Sequence, residues 1–208
     1  MLYRFGRWLL FPLAKIVFSL RITGRENLPQ KGGFILCSNH RSVCDPCFLA
    51  AASWPLFPKK GERRSSVRFM GKSELFTEHG KFAAWLLRKL GAFPVERDSA
   101  DLGAIRRACQ ILQNGEVLGI FPQGRCIPEG VPFRPKSGAA LIAVHAGVPV
   151  VPACIRIHGK AHVFSKAEVR IGKPIMFYKE EGLSEKIQIR QLTRRIAEEI
   201  NILLEENT

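Results

Sequence analysis

Residues Gly32–Pro46 read GGFILCSNHRSVCDP, and this order of residue types sets the fold. A Pro-Gln-Lys-Gly-Gly turn opens the stretch. Phe34–Ser38 then forms a short apolar run, which predicts a buried strand. A polar loop follows. Asp45-Pro46 predicts a helix start, with Asp45 as N-cap and Pro46 in the first helical position. Strand, loop and helix in so few residues are the unit of an α/β sheet.

The same alternation continues outward. VRFMGK (67–72) predicts a second strand, and Lys81 to Leu90 a helix closed by Gly91. AFPV (92–95) is a short strand. Asp98 is the expected cap of the next helix, whose stripe holds Leu102, Ile105, Cys109 and Leu112 and which stops at Asn114-Gly115. EVLGIFP (116–122) is a strand, followed by a Pro- and Gly-rich loop to Lys136. Ser137 to Ala146 is a helix with Gly147 behind it. VPVVPACIR (148–156) and AEVRIGKPI (167–175) are strands, the second near the sheet edge. Ser184 to Glu206 is a long amphipathic helix with Ile196, Ile200, Leu203 and Leu204 on its apolar side. The expected fold is one α/β domain, a largely parallel mixed sheet flanked by helices. Sites in such sheets collect in loops beyond the carboxyl ends of strands, where Asn39–Cys44 lies.

The 208 residues suit one domain that buries about 70% of its unfolded surface. Lys and Arg number 32 against 18 Asp and Glu, a net charge of +14. That excess implies an anionic partner: nucleic acid, anionic lipid or a phosphorylated substrate. Six cysteines fall below disulfide-scaffold density and read as reduced thiols in a cytosolic compartment. The first 20 residues, MLYRFGRWLLFPLAKIVFSL, carry no small-residue cleavage site after their apolar run. Trp8 to Leu20 is shorter than the roughly 20 residues a membrane span needs. Its aromatic bulk with Arg4, Arg7 and Lys15 suits a helix lying in the membrane interface. Residues 1–21 are therefore read as a membrane-interface segment and 22–208 as the α/β domain. Basic loop 58–68 contains no aromatic residue, which argues against nucleic acid.

Two pairs in the opening stretch could carry chemistry. His40 and Asp45, five positions apart, would point about 140° apart on a helix. They meet only if the loop turns. Asp45 would then hold one ring nitrogen and leave the other free to take a proton, a base-orienter pair without a nearby protein nucleophile. The alternative is a turn histidine beside a pure cap. Cys44 and Cys47 form C-x-x-C, but no second ligand pair stands in the chain for zinc. Small buried residues are the favoured reading over a redox pair. Arg97, just past the strand 92–95, is placed to grip a phosphate. Gln123, Gly124 and Arg125 form a polar turn at another strand end.

Taken together, these blocks resemble the glycerolipid acyltransferase family. Asn39-His40 through Asp45-Pro46 matches N-H-x-x-x-x-D. Gly91, Phe93 and Arg97 match G-x-F-x-x-x-R. Phe121-Pro122-Gln123-Gly124 is similar to F-P-E-G, and Val148 to Pro152 to the family's V-P strand. FMGKSELF, with Lys72, resembles the Lys-x-Glu-Leu stretch. The resemblance runs from about Ile22 to Pro174. It implies His40 as general base and Asp45 as its orienter. The acceptor it implies is the 2-hydroxyl of a lysophospholipid, and the donor an acyl thioester of acyl carrier protein or coenzyme A. No metal, other cofactor or acyl-enzyme is implied. Arg97, with Lys72 and Arg125, would hold the glycerol phosphate. Gln123 and Gly124 would line the substrate site. The protein would sit peripherally on the cytoplasmic face of an anionic membrane. The chain departs from the family where Gln123 replaces Glu and Arg125-Cys126 replaces Thr-Arg or Arg-Ser. That leaves the acceptor open between 1-acyl-glycerol-3-phosphate and another lysolipid. The rival reading is a non-catalytic basic protein that binds membrane or nucleic acid.

Overall fold

The computed structural model describes residues 19–53, 67–78, 80–89, 91–95, 101–127, 131, 133–158 and 166–205. Residues 1–18 of the N-terminal interface segment, most of basic loop 58–68, Asp98 and Arg97 lie outside them. The strands among the described residues are β1 (Arg21–Thr23), β2 (Phe34–Ser38), β3 (Val67–Lys72), β4 (Ala92–Val95), β5 (Val117–Ile120), β6 (Val150–His158) and β7 (Lys166–Ile171). The helices are α1 (Asp45–Ala52), α2 (Gly80–Lys89), α3 (Leu102–Gln113), α4 (Gly138–Ala146) and α5 (Glu185–Glu205).

All seven strands join one sheet in the order β1-β7-β6-β2-β5-β3-β4. β2 through β6 run parallel. β7 is antiparallel to β6, and β1 parallel to β7. The expected mixed, largely parallel α/β sheet is the one observed. β2 lies at its centre, so both faces of FILCS are covered and all five residues are buried. Phe34 and Leu36 face one core with Phe48 and Leu49 of α1. Ile35 and Cys37 face the other with Leu112 of α3, Ala140 and Ile142 of α4 and Ile196 and Ile200 of α5. Each fully buried side chain of this size contributes about 1.5–3 kcal/mol. This two-sided burial holds the strand end before the polar loop in place.

The helices position the site through their sidedness. The chain leaves β2 toward α1 on one face. It leaves the adjacent parallel strand β5 toward α4 on the other face. Loops that part in this way open a crevice beyond the carboxyl ends of the two strands.

Several local expectations are corrected. Cys44, not Asp45, is the N-cap of α1; Asp45 is already helical, with Pro46 in the first turn. Its carboxylate turns back to the preceding loop instead of capping forward. The cap of α3 is Asp101, whose Oδ1 accepts the Ala104 N–H at 2.8 Å. Starting at Leu102, that helix buries Ala104, Ala108 and Leu112. Leu102 lies two residues, about 200°, from Ala104 and is 70% exposed. β1 was not foreseen, because three residues are too few to show a period; they become a strand by pairing Arg21 with Glu168 and Thr23 with Arg170. The sheet thus takes in Arg21, one residue before the expected domain boundary. β1 also covers β7, which is second from the edge.

Candidate active site

Asn39 anchors the loop after β2. It is buried, and its amide bonds both backbone groups of Ile155 on β6: Oδ1 accepts the N–H at 2.7 Å and Nδ2 donates to the carbonyl at 2.9 Å. Ser38 Oγ donates to the same Oδ1 at 3.2 Å. The next residue, His40, is clamped by the loop after β5. Its N–H donates to Gln123 Oε1 at 3.1 Å, and its carbonyl accepts the Ile127 N–H at 2.8 Å.

The His40 ring has a partner on each side. Nδ1 lies 2.8 Å from Asp45 Oδ2, with the Asp45 side chain fully buried and the His40 ring 17% exposed. The loop does make the turn the pair requires. The same Oδ2 accepts the backbone N–H groups of Arg41 at 2.6 Å and Ser42 at 2.9 Å. One carboxylate oxygen thus folds the loop around itself and holds the ring. A carboxylate only accepts, so the ring proton belongs on Nδ1 and Nε2 is the acceptor. Nε2 lies 3.4 Å from the Sγ of Cys126, an exposed residue. Phe121 stacks on the ring with centroids 4.2 Å apart, and Phe69 lies beyond it at 6.1 Å. An imidazole held this way can take a proton at Nε2 and share the resulting charge with Asp45.

The remaining expected residues take different places. Gln123 turns its Oε1 onto the His40 backbone. Gly124 adopts φ of +74°, a left-handed turn that a side chain would strain, and its N–H donates to the Phe121 carbonyl at 2.9 Å. Arg125 is exposed on the same loop. Lys72, at the carboxyl end of β3, pairs with Glu74. That contact, chiefly the hydrogen bond, lowers the Glu74 pKa. Arg97 lies outside the described residues. Asn39, Phe121 and Cys126 were assigned no role from sequence. Asn39 stood inside the quoted block, whereas Phe121 and Cys126 act through contacts across some 80 residues. Cys44 and Cys47 are free thiols, but they are not the buried pair expected: Cys44 is half-buried and Cys47 exposed, at the start of α1. The Cys47 pKa is raised by desolvation, then by Cys44 and the Asp45 carboxylate, the opposite of a reactive dithiol.

The family model described as Acyltransferase matches residues 19–156, which carry the whole constellation. The chain belongs to the acyltransferase family. A relative, the 1-acyl-sn-glycerol-3-phosphate acyltransferase of Bacillus subtilis (strain 168), is 32% identical to this acyltransferase over 169 residues, 77% of this chain and 78% of its own. The protein of the same name from Streptococcus pneumoniae is 34% identical over 124 residues, 59% of this chain and 41% of its own. The crystal structure of the 1-acyl-sn-glycerophosphate acyltransferase of Thermotoga maritima matches with a TM-score of 0.67, over 99% of this chain and 83% of that one. At 23% identity that likeness establishes the acyltransferase fold.

Proposed function

We propose that this acyltransferase moves a fatty acyl group from a thioester to the 2-hydroxyl of 1-acyl-glycerol-3-phosphate, forming phosphatidic acid for phospholipid biosynthesis. The observation that carries the reading is His40. Asp45 holds its Nδ1, and its Nε2 points to Cys126 on the loop after β5. In the bond-forming step Nε2 takes the acceptor hydroxyl proton while the oxygen attacks the thioester carbonyl. Asp45 keeps the ring in the productive tautomer and stabilises the imidazolium. Gln123 acts through His40, fixing its backbone. Neither a metal nor another cofactor is called on; acyl carrier protein or coenzyme A delivers the acyl group as substrate.

Arg97, Lys72 and Arg125 are assigned to the phosphate. The half-exposed Lys72–Glu74 pair is worth little in water, so Lys72 can exchange Glu74 for a phosphate oxygen. A peripheral seat on an anionic membrane suits the charge of +14. None of the described helices is long and apolar enough to cross a membrane. Phe82 and Trp85 of α2 are exposed and stacked at 5.8 Å, and such aromatics favour a lipid interface. Gln123 in place of Glu keeps a second acceptor lysolipid in play.

The experiment is acyl transfer in detergent micelles with lysophosphatidic acid. Acyl-carrier-protein and coenzyme A thioesters are each offered, and His40→Ala is run beside the native chain. Phosphatidic acid should form with the native protein and fall by about 100-fold or more in the variant, the scale of a lost general base. Full transfer by His40→Ala would refute the dyad. Transfer only to another lysolipid would move the acceptor and leave the reaction standing.

A further inference from the structure

We propose that the exposed face of α2, with the turn that precedes it, is the surface on which this acyltransferase docks to an anionic phospholipid leaflet. Its role beside the site rests on the reading of the acceptor as a lysolipid. A helix turns about 100° per residue, so Arg88, Lys81, Trp85 and Phe82 share one arc of about 120° on α2. All four are exposed, Phe82 at 75% and Trp85 at 43%. The two aromatic rings stack on each other. The 3-10 turn Ser73–Phe76 that leads into α2 adds Leu75, 40% exposed. Turn and helix are tied together, with the Arg88 guanidinium 5.5 Å over the Phe76 ring. The charged residues of α2 are Lys81, Arg88 and Lys89, all basic.

Two features commit this face to lipid. The first is its chemistry, with aromatic and aliphatic bulk set between basic side chains. The rings enter the boundary between headgroups and acyl chains, while Lys81 and Arg88 extend to lipid phosphates. A second copy of this chain, docked face to face, would set Lys81 and Arg88 against their own counterparts, which repels. The second feature is position. β3 ends at Lys72 and the turn begins at Ser73. β3 is the parallel neighbour of β5, whose following loop clamps His40. The face and His40 therefore lie at one end of the sheet. An acceptor whose acyl chain stays in the leaflet lifts out only its glycerol phosphate, so the leaflet must lie against that end. Docked on α2, it brings the headgroup to the side of the molecule where Lys72 stands. This contact is separate from the N-terminal segment and adds to it.

The test uses the full chain with Trp8→Phe and Trp54→Phe, which leaves Trp85 as its single tryptophan. Vesicles of phosphatidylglycerol and phosphatidylcholine in equal parts, with bromine on the acyl chains, are added. Trp85 emission should shift to the blue and be strongly quenched. Vesicles of phosphatidylcholine alone should bind about 10-fold more weakly, because the basic groups lose their anionic surface. Phe82→Ala, made in the otherwise unaltered chain and read by cosedimentation, should weaken binding to the anionic vesicles by about 10-fold, the scale of one large apolar side chain withheld from lipid. The proposal is overturned if the chain does not bind these vesicles, or if it binds them with Trp85 unquenched, since another segment then makes the contact. It is overturned too if Phe82→Ala binds as tightly as the native chain, or if the chain is a dimer that Phe82→Ala dissociates, which makes the face an interface between copies. Quenching of Trp85 without acylation of any lysolipid would leave the docking surface standing and refute the acceptor. Acylation of vesicle-borne lysophosphatidic acid with Trp85 unquenched would do the reverse.

Discussion

Oδ2 of Asp45 bonds the His40 ring and two backbone N–H groups at once, so loop shape and ring orientation are a single event. Asp45→Asn would set an amide against those donors and release the tautomer. Its kcat should drop by about 100-fold or more with a smaller change in KM, measured by steady-state transfer. Gln123 offers His40 a neutral acceptor, and a carboxylate would do the same. Gln123→Glu should therefore keep kcat within a few-fold, whereas Gln123→Ala, which frees the His40 N–H, lowers it; the pair of kcat values checks the assignment. Asn39→Ala strands both backbone groups of Ile155 in a buried place. Each such loss costs about 1–3 kcal/mol, so urea unfolding should report roughly 2–6 kcal/mol less stability.

Among elements, β5 shows how packing reaches the site. A Cβ on Gly119 would lie 2.3 Å from the Phe69 ring on β3. Phe69 lies against Phe121, and Phe121 against His40. Gly119→Ala should cost about 1–3 kcal/mol by overpacking and should lower kcat by displacing the stack. Adding Phe69→Leu should recover part of both, as read by thermal unfolding and by transfer rate. Helix and strand types were legible along the described chain because their periods and breakers are local. Caps were less so. Asp45 and Asp101 are both acidic residues at helix starts, yet only Asp101 caps forward, since Asp45 finds stronger partners in His40 and the turning loop.

Across the whole molecule, buried thiols link stability to pH. Cys154 Sγ donates to the Leu203 carbonyl of α5, and burial raises its pKa from 9.0 to about 11. The folded thiol ionises later than the unfolded one. Its contribution is intact below about pH 9 and is lost as pH rises through about 11, on the order of 3 kcal/mol. Buried Cys37 acts in the same direction. Urea midpoints should fall between pH 8.5 and 11 (roughly the thiol range), and Cys154→Val should flatten that fall. The α/β class, the largely parallel sheet and the strand-end position of His40, Asp45 and Gln123 follow from local apolar runs, turn residues and motif spacing. Those signals travel a few residues along the chain. Which strands neighbour β2, which face each helix takes, and that Cys126 meets His40 across 86 positions depend on long-range pairing. No local pattern records that pairing, because it is settled by burying both faces of the sheet at once.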